Sequence, residues 1–416
     1  MKRFILLFLY VTITKAALAQ TNLLEKLMRQ QPAQFQQILA PQNPYEVQIL
    51  YTQIDRDAQN RPRFTTYQYG VDTSRYFYPA STVKFPAVLL ALEKINELNK
   101  KLPKNQQINK YTTLLTDSAF AAQTSVKSDT SAPNGLPSVG HYAKKILLVS
   151  DNDAYNRLYE FIGQQEFNQK LRAKGYANTR ILHRLSYPAN TAQNRHTNPV
   201  RFVDGARLLY AQAAQFNPDN LLPNKRIEKG KGYLENDSLV LQPFDFTTKN
   251  EFAIQDQQAI LRAVLFPESV PPHQRFNISP EDYQFVYQFM SQLPSETRSP
   301  RYDTKEFYDS YCKFFLFGDN KKPVPKHIRI FNKVGDAYGF LLDNAYVIDL
   351  KKGVEFMLTA VIYCNQDQIF NDDKYDYDAV GFPFFANLGQ LIYQHELGRK
   401  RRYQPNLKKF NLKYEK

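Results

Sequence analysis

The spacing of apolar and polar positions divides the chain into strand-like ends and a helical middle. Residues 46–54 (EVQILYTQI) and 63–70 (RFTTYQYG) are rich in β-branched and aromatic residues. They flank a polar, proline-containing stretch at 55–62, which predicts a β-hairpin. Near the other end, HIRIFNKV (327–334), LLDNAYVIDL (341–350) and VEFMLTAVIY (354–363) read as strands, with Lys351, Lys352 and Gly353 as the tight turn before the last. Helical spacing comes in three clear places. Leu24, Leu27, Phe35 and Ile38 predict a surface helix over 23–39. The run SRYFYPASTVKFPAVLLALEKINEL predicts a long helix from about Ser81, and 382–397 (FPFFANLGQLIYQHEL) a closing helix. Between about 100 and 320 the pattern is mostly helical.

Strands at both ends of the chain with helices between them predict an α+β fold. An antiparallel sheet, flanked by helices and assembled from distant segments, stands beside an all-α lobe. The expected division is a discontinuous α/β domain (20–100 and 325–397), a mostly helical domain (101–324) and a basic tail (398–416). No internal repeat or Gly/Ser linker interrupts it. Composition agrees: 43% hydrophobic and 23% charged residues in 416 exclude a disordered chain.

The first residues stand apart. Lys2 and Arg3 precede an apolar run from Phe4 to Ile13, and Ala17-Leu18-Ala19 offers a small-residue cleavage site. This predicts a cleavable signal peptide over 1–19 and export to the periplasm or beyond. The run is shorter than the ~20 residues a spanning helix needs, no cysteine marks a lipid anchor, and no later segment reads as transmembrane. In an exported chain Cys312 and Cys364 have two readings, one bridge or two buried thiols. The net charge is +14, with Arg399, Lys400, Arg401, Arg402, Lys408, Lys409, Lys413 and Lys416 near the end. Export argues against nucleic acid as partner; a solvated tail, or a tail touching anionic cell-envelope polymer or lipid, remains. The chain is expected to act as a monomer.

Three short motifs carry the chemistry. Ser81-Thr82-Val83-Lys84 is an S-x-x-K element at a helix start, where three residues make nearly one turn and set Lys84 beside Ser81. Ser310-Tyr311-Cys312-Lys313 has the same form but leads into a buried run, so its reading is structural. Ser150-Asp151-Asn152 lies between two helical patterns, where a helix end and an Asp cap would also account for it. Lys333-Val334-Gly335 falls on a late strand, and alone reads as a surface lysine before a bulge.

In this order the three motifs resemble the signature of class A β-lactamases and penicillin-recognising serine hydrolases. The resemblance covers roughly residues 22–400. It implies that Ser81 is the nucleophile and that Lys84 accepts its proton, with a pKa lowered by burial near Lys333. It implies that Ser150 relays the proton to the leaving nitrogen. Asn152 then orients Lys84 and holds the substrate amide, while Lys333 attracts the substrate carboxylate. Gly335 and Asp336 continue the substrate-binding strand, the backbone N–H groups of Ser81 and Asp336 form the oxyanion hole, and Asn190 closes the family's omega loop. The resemblance implies no cofactor. A metal site is disfavoured independently, because His141, His183, His196, His273, His327 and His395 show no ligand spacing.

Two departures stand out. Val334 replaces the usual hydroxyl residue of the third motif, which predicts weaker carboxylate binding or a carboxylate placed differently. In Arg184-Leu185-Ser186-Tyr187-Pro188-Ala189-Asn190, Ser186 stands where the family's glutamate clears the acyl-enzyme. Residues 225–275 add length, as a flap beside the site or as an embellishment. A β-lactamase-like amide hydrolase with another release route is the leading expectation. The alternatives are a D,D-peptidase, transpeptidase or esterase on cell-wall peptides, and a non-hydrolytic penicillin or muropeptide receptor.

Overall fold

The computed structural model describes residues 23–415; the expected signal peptide at 1–19 lies outside them. In chain order the main elements are α1 (Leu23–Arg29), α2 (Pro32–Leu39), β1 (Gln48–Arg56), β2 (Pro62–Tyr69), α3 (Lys84–Asn99), α4 (Val139–Val149) and α5 (Asn152–Ile162). Then follow α6 (Gln164–Ala173), α7 (Ile254–Leu265), α8 (Pro280–Ser291), β3 (Ile328–Ala337), β4 (Phe340–Asp349), β5 (Val354–Tyr363) and α9 (Phe382–Gly398). The five strands form one antiparallel sheet in the order β3-β4-β5-β1-β2, so the two ends of the chain meet where β1 pairs β5, with Ile49 opposite Ala360. The α+β architecture expected from the pattern is the one observed.

The register explains the residue choice. Every residue of β4 and β5 is buried, because α7 covers one face and α9 the other. That removes the alternation a one-sided sheet would show. The polar residues inside are satisfied across the layers. Gln258 of α7 donates to the Leu50 carbonyl (3.1 Å) and to Thr359 Oγ1 (2.9 Å), while Asn344 donates to the Gln257 carbonyl (2.8 Å). Helix α7 is thereby tied to the middle of the sheet, although it lies within the stretch expected to form the helical lobe.

Four expectations need correction. The helix over 23–39 is two helices, because Pro32 lacks an N–H and pushes the preceding Gln31 out of the helical region (φ −127, ψ 66). The long helix begins as a 3₁₀ turn, Ala80–Val83, and becomes α-helical only at Lys84. Pro86 is then the third helical residue, where its missing N–H has no intrahelical acceptor to lose. The middle is less helical than its pattern, since Thr113–Thr116, Val200–Asp204 and Arg207–Gln212 form a three-stranded sheet.

The basic end is not a solvated tail. Leu407 and Phe410 are buried, and Phe410 lies 5.1 Å from the Tyr346 ring and 5.3 Å from that of Phe331. Glu415 accepts from Lys144 Nζ (2.6 Å) and from the Arg298 N–H (2.7 Å). Lys400, Arg402, Lys408 and Lys413 stay exposed.

The tail leaves helix α9 just past Glu396, which has no exposed surface and takes hydrogen bonds from Tyr51, Arg399 and Arg401. Glu396→Ala leaves the largely buried Arg401 guanidinium without its counter-ion, while Arg399 keeps only Asp55. The expected loss is about 3–5 kcal/mol of unfolding free energy, read as a lower urea midpoint at unchanged slope.

Candidate active site

Ser81 sits in the 3₁₀ turn that opens α3. Thr82 closes this turn twice on the Pro79 carbonyl, through its N–H (3.1 Å) and its hydroxyl (2.7 Å). Ala80, just before Ser81, has a left-handed backbone (φ 46). Strand β3 runs hard against this turn. A Cβ built on Gly335 would lie 2.9 Å from the Pro79 oxygen and 2.9 Å from the Ser81 nitrogen. Glycine here is thus a matter of close approach, which the motif alone did not reveal.

The Ser-Asp-Asn motif is both a corner and part of the site. Ser150 ends α4 in a left-handed conformation (φ 62, ψ 37), and Asp151 caps α5 by accepting the Ala154 N–H (2.7 Å). A non-glycine residue held this way costs on the order of 1–3 kcal/mol. The reversal turns both oxygens of Ser150 toward Lys84. Lys84 is fully buried; its Nζ donates to Asn152 Oδ1 (2.6 Å) and to the Ser150 carbonyl, and lies 3.2 Å from Ser150 Oγ. Lys333 reaches the same hydroxyl from β3, donating to Ser150 Oγ (2.8 Å) and to the Val334 carbonyl (2.8 Å).

Electrostatics follow from this crowding. Burial, reinforced by the Lys333 charge, drives the Lys84 pKa well below the usual lysine value. Burial pushes Lys333 down to about 8. Asp336 is open to the cleft yet hemmed in by protein, and burial raises its carboxyl above the ordinary range against the pull of Lys333 and Lys84.

Opposite Ser81 runs the segment from His183 to Asn190. Arg184 anchors it through Glu160 (2.9 Å), which has no exposed surface and is also held by Arg157 (2.8 Å). Asn156 clamps Leu185 at both its N–H (2.8 Å) and its carbonyl (3.0 Å). Ser186 therefore projects into the cleft with φ 46, and its Oγ accepts from Asn152 Nδ2 (2.9 Å). Among the described residues no carboxylate takes that place. Asn190 lines the cleft, but its side chain caps the short helix Thr191–Asn194 through the Gln193 N–H (2.9 Å).

The cleft has a volume of about 940 Å³ and brings together Ser81, Ser150, Asn152, Ser186, Val334 and Asp336. Ser310 lies outside this set: it is buried and donates to the Asn320 carbonyl (2.6 Å). Cys312 and Cys364 are both buried, unpaired thiols. The 225–275 segment forms a hairpin, Gly232–Glu235 with Ser238–Val240, that adds Ile369–Phe370 as a third strand. Behind it Phe246 packs on Tyr338 (5.5 Å) and Phe370 (5.2 Å). A fully buried ring of this kind contributes about 1.5–3 kcal/mol, so the insertion buttresses the cleft wall. Apart from Tyr187 in the 184–190 motif, sequence reasoning missed the tyrosines of the cleft (Tyr78, Tyr308, Tyr311, Tyr338, Tyr375 and Tyr377). A chain with 28 tyrosines gives no local sign of which ones converge.

Gly335→Ala must displace either β3 or the Ser81 turn. The expected outcome is loss of at least about 10²-fold in the rate at which an acylating probe labels Ser81, on the scale of a 1 Å misplacement. Intact-mass time courses beside a circular-dichroism check of folding test this.

A profile of the Beta-lactamase enzyme family matches residues 32–221, a stretch that contains Ser81, Lys84, Ser150 and Ser186 and ends before Lys333. No curated protein matches the chain. Among solved structures the chain is similar to a β-lactamase from Sphaerobacter thermophilus DSM 20745 (14% identity, 85% of this chain and 92% of that one covered, TM-score 0.45). It is similar also to PBP-A (15% identity, 90% and 96% covered, TM-score 0.47). A third is a β-lactamase from Xanthomonas campestris pv. campestris str. ATCC 33913 (14% identity, 84% and 92% covered, TM-score 0.45). Residues 32–221 thus match the model of the Beta-lactamase enzyme family, the group that the three motifs resemble.

Proposed function

We propose that this protein is an exported, β-lactamase-like serine hydrolase that takes the acyl group of a β-lactam or related amide onto Ser81. The observation that carries the reading is the buried Lys84 amine held between Asn152 and Ser150, one turn after Ser81. A neutral amine has two N–H bonds and one lone pair. Asn152 Oδ1 and the Ser150 carbonyl take the two N–H bonds, which leaves the lone pair for a serine proton. Ser81 Oγ then attacks the carbonyl carbon as its proton passes to Lys84. The Ser150 hydroxyl, polarised by Lys333, protonates the leaving nitrogen and is reprotonated from Lys84. The N–H groups of Ser81 and Asp336 receive the oxyanion, where one such donor contributes about 3–4 kcal/mol.

Release of the acyl group is the slow half of this scheme. Asn152 meets a neutral hydroxyl at Ser186 rather than a carboxylate able to draw a proton from water, and a general base supplies about 10²–10⁴ in rate. Ser186 is also the observation that favours a second reading, a D,D-peptidase or transpeptidase on cell-wall peptides, or a receptor that stays acylated. Export rests on the basic start, apolar run and Ala-Leu-Ala site in residues 1–19.

Mixed with benzylpenicillin, the protein is expected to gain one penicilloyl mass on Ser81 that persists for many minutes, with Ser81→Ala unlabelled. Ser186→Glu should shorten the life of the adduct by at least about tenfold. An adduct unchanged in Ser81→Ala sinks the reading; rapid turnover by the wild type removes only the slow release. The pH dependence has a definite sign. Lys333 is cationic below about 8, so the acylation rate falls as pH rises through that value. In Lys333→Arg the guanidinium holds its charge, so a stopped-flow pH profile should lack the alkaline fall.

A further inference from the structure

Strand β3 presents two different faces beside the cleft. Lys333 and Gly335 turn toward Ser150 and the Ser81 turn. Val334 and Asp336, one residue out of phase, lie on the opposite face and line the cleft there. Val334 is buried in an apolar cluster with Cys312 and Phe314, and supplies no hydrogen-bond donor. Among the described residues the Asp336 carboxylate has no hydrogen bond and no ion pair. Lys333 has spent donors on Ser150 Oγ and the Val334 carbonyl, and acts on Asp336 only through space.

Around this carboxylate the walls are aromatic. Tyr311 and Tyr377 both feel its charge, and Tyr308 packs edge-on against Tyr311 at 5.9 Å. The Tyr308 ring already takes an ammonium, that of Lys321, at 4.9 Å from its centroid. A ligand carboxylate at this wall would meet two methyl groups and a like charge. A neutral ligand would leave Asp336 unpaired. An ammonium would find a counter-ion and ring faces together, the two features that bind organic cations.

We infer that the Val334–Asp336 face of the cleft is a cation subsite. The substrate that acylates Ser81 carries an ammonium group there, Asp336 is its counter-ion, and a free carboxylate at that position is selected against. This rests on the acylation of Ser81 proposed above and narrows its preferred substrates to amides or esters with a basic side chain or aminoalkyl end, benzylpenicillin being a slower acylating agent than these.

Three matched depsipeptide esters provide the test, one ending in a carboxylate, one in its methylamide and one in its 2-aminoethylamide. A neutral fluorophosphonate serves as a probe of Ser81 alone. The wild type should be acylated by the aminoethylamide at least about tenfold faster than by the carboxylate, a difference of about 1.4 kcal/mol, with the methylamide between. In Asp336→Asn that ratio should collapse toward one, and in Asp336→Lys it should invert. Using the ratio removes any general loss of activity from altering this strand. Fluorophosphonate labelling with the carboxylate ester equal or preferred, or a ratio unchanged in Asp336→Asn, overturns the cation subsite alone. Failure of the fluorophosphonate and of every ester to label Ser81 overturns the acylation reading, and this inference with it.

Discussion

A lysine with no exposed surface must be met by polar atoms from other parts of the chain, because an ammonium stripped of water costs several kcal/mol unless it is paired or neutralised. Lys84 is such a residue, and much of the site can be understood as the answer to it. Its partners come from the corner between α4 and α5, whose left-handed Ser150 turns a carbonyl and a hydroxyl onto it while Asn152 adds an amide oxygen. No carboxylate is among its hydrogen-bond partners, so the environment favours the amine over the ammonium. The structural demand and the proposed chemical use coincide: the same burial that threatens the fold lowers the Lys84 pKa, as the base proposed above requires.

That demand fixes how the two halves of the molecule must join. Lys84 begins a helix that follows the N-terminal hairpin, Ser150 and Asn152 belong to the helical body, and Lys333 rides on a strand from the far end. The sheet can bring β3 to the Ser81 turn only because position 335 has no side chain. Across the cleft, a second buried charge group does separate work. Glu160 with Arg157 and Arg184 holds the 183–190 segment by a core ion pair, so the loop is rigid without a catalytic carboxylate in it.

The insertion and the chain end have comparable roles. The hairpin at 232–240 shares a sheet with 369–370 and backs the cleft with aromatic rings, while the basic end folds over β3 and β4 and finishes on α4, the helix that carries Ser150. Both extend support to parts of the site that the sheet alone would leave at an edge. Positive charge in the tail is partly internal as a result, with Arg399 and Arg401 balanced by Asp55 and Glu396.

Local patterns were sufficient wherever the physics is local. The strands of the main sheet, the closing helix and the caps at Ser150 and Asp151 all follow from side-chain spacing and turn chemistry, and the three motifs singled out Ser81, Lys84, Ser150, Asn152 and Lys333 because their order along the chain is distinctive. Where the pattern misled, a tertiary force had won. The tail reads as solvated until Leu407 and Phe410 are buried, with Phe410 among the rings of Phe266, Phe331 and Tyr346 from other elements. The middle reads as helical although some of its segments pair as strands, because a short apolar run suits either state until a partner strand exists. By itself, then, the sequence determined the fold class, the candidate nucleophile and its basic neighbours, and the absence of a glutamate at Ser186, since each depends on residue identity or spacing. Only the tertiary structure decided how closely Gly335 meets the Ser81 turn, which tyrosines wall the cleft, and that the Asp336 carboxylate stands there unpaired. Those depend on distances between segments far apart in the chain, and no local pattern encodes them.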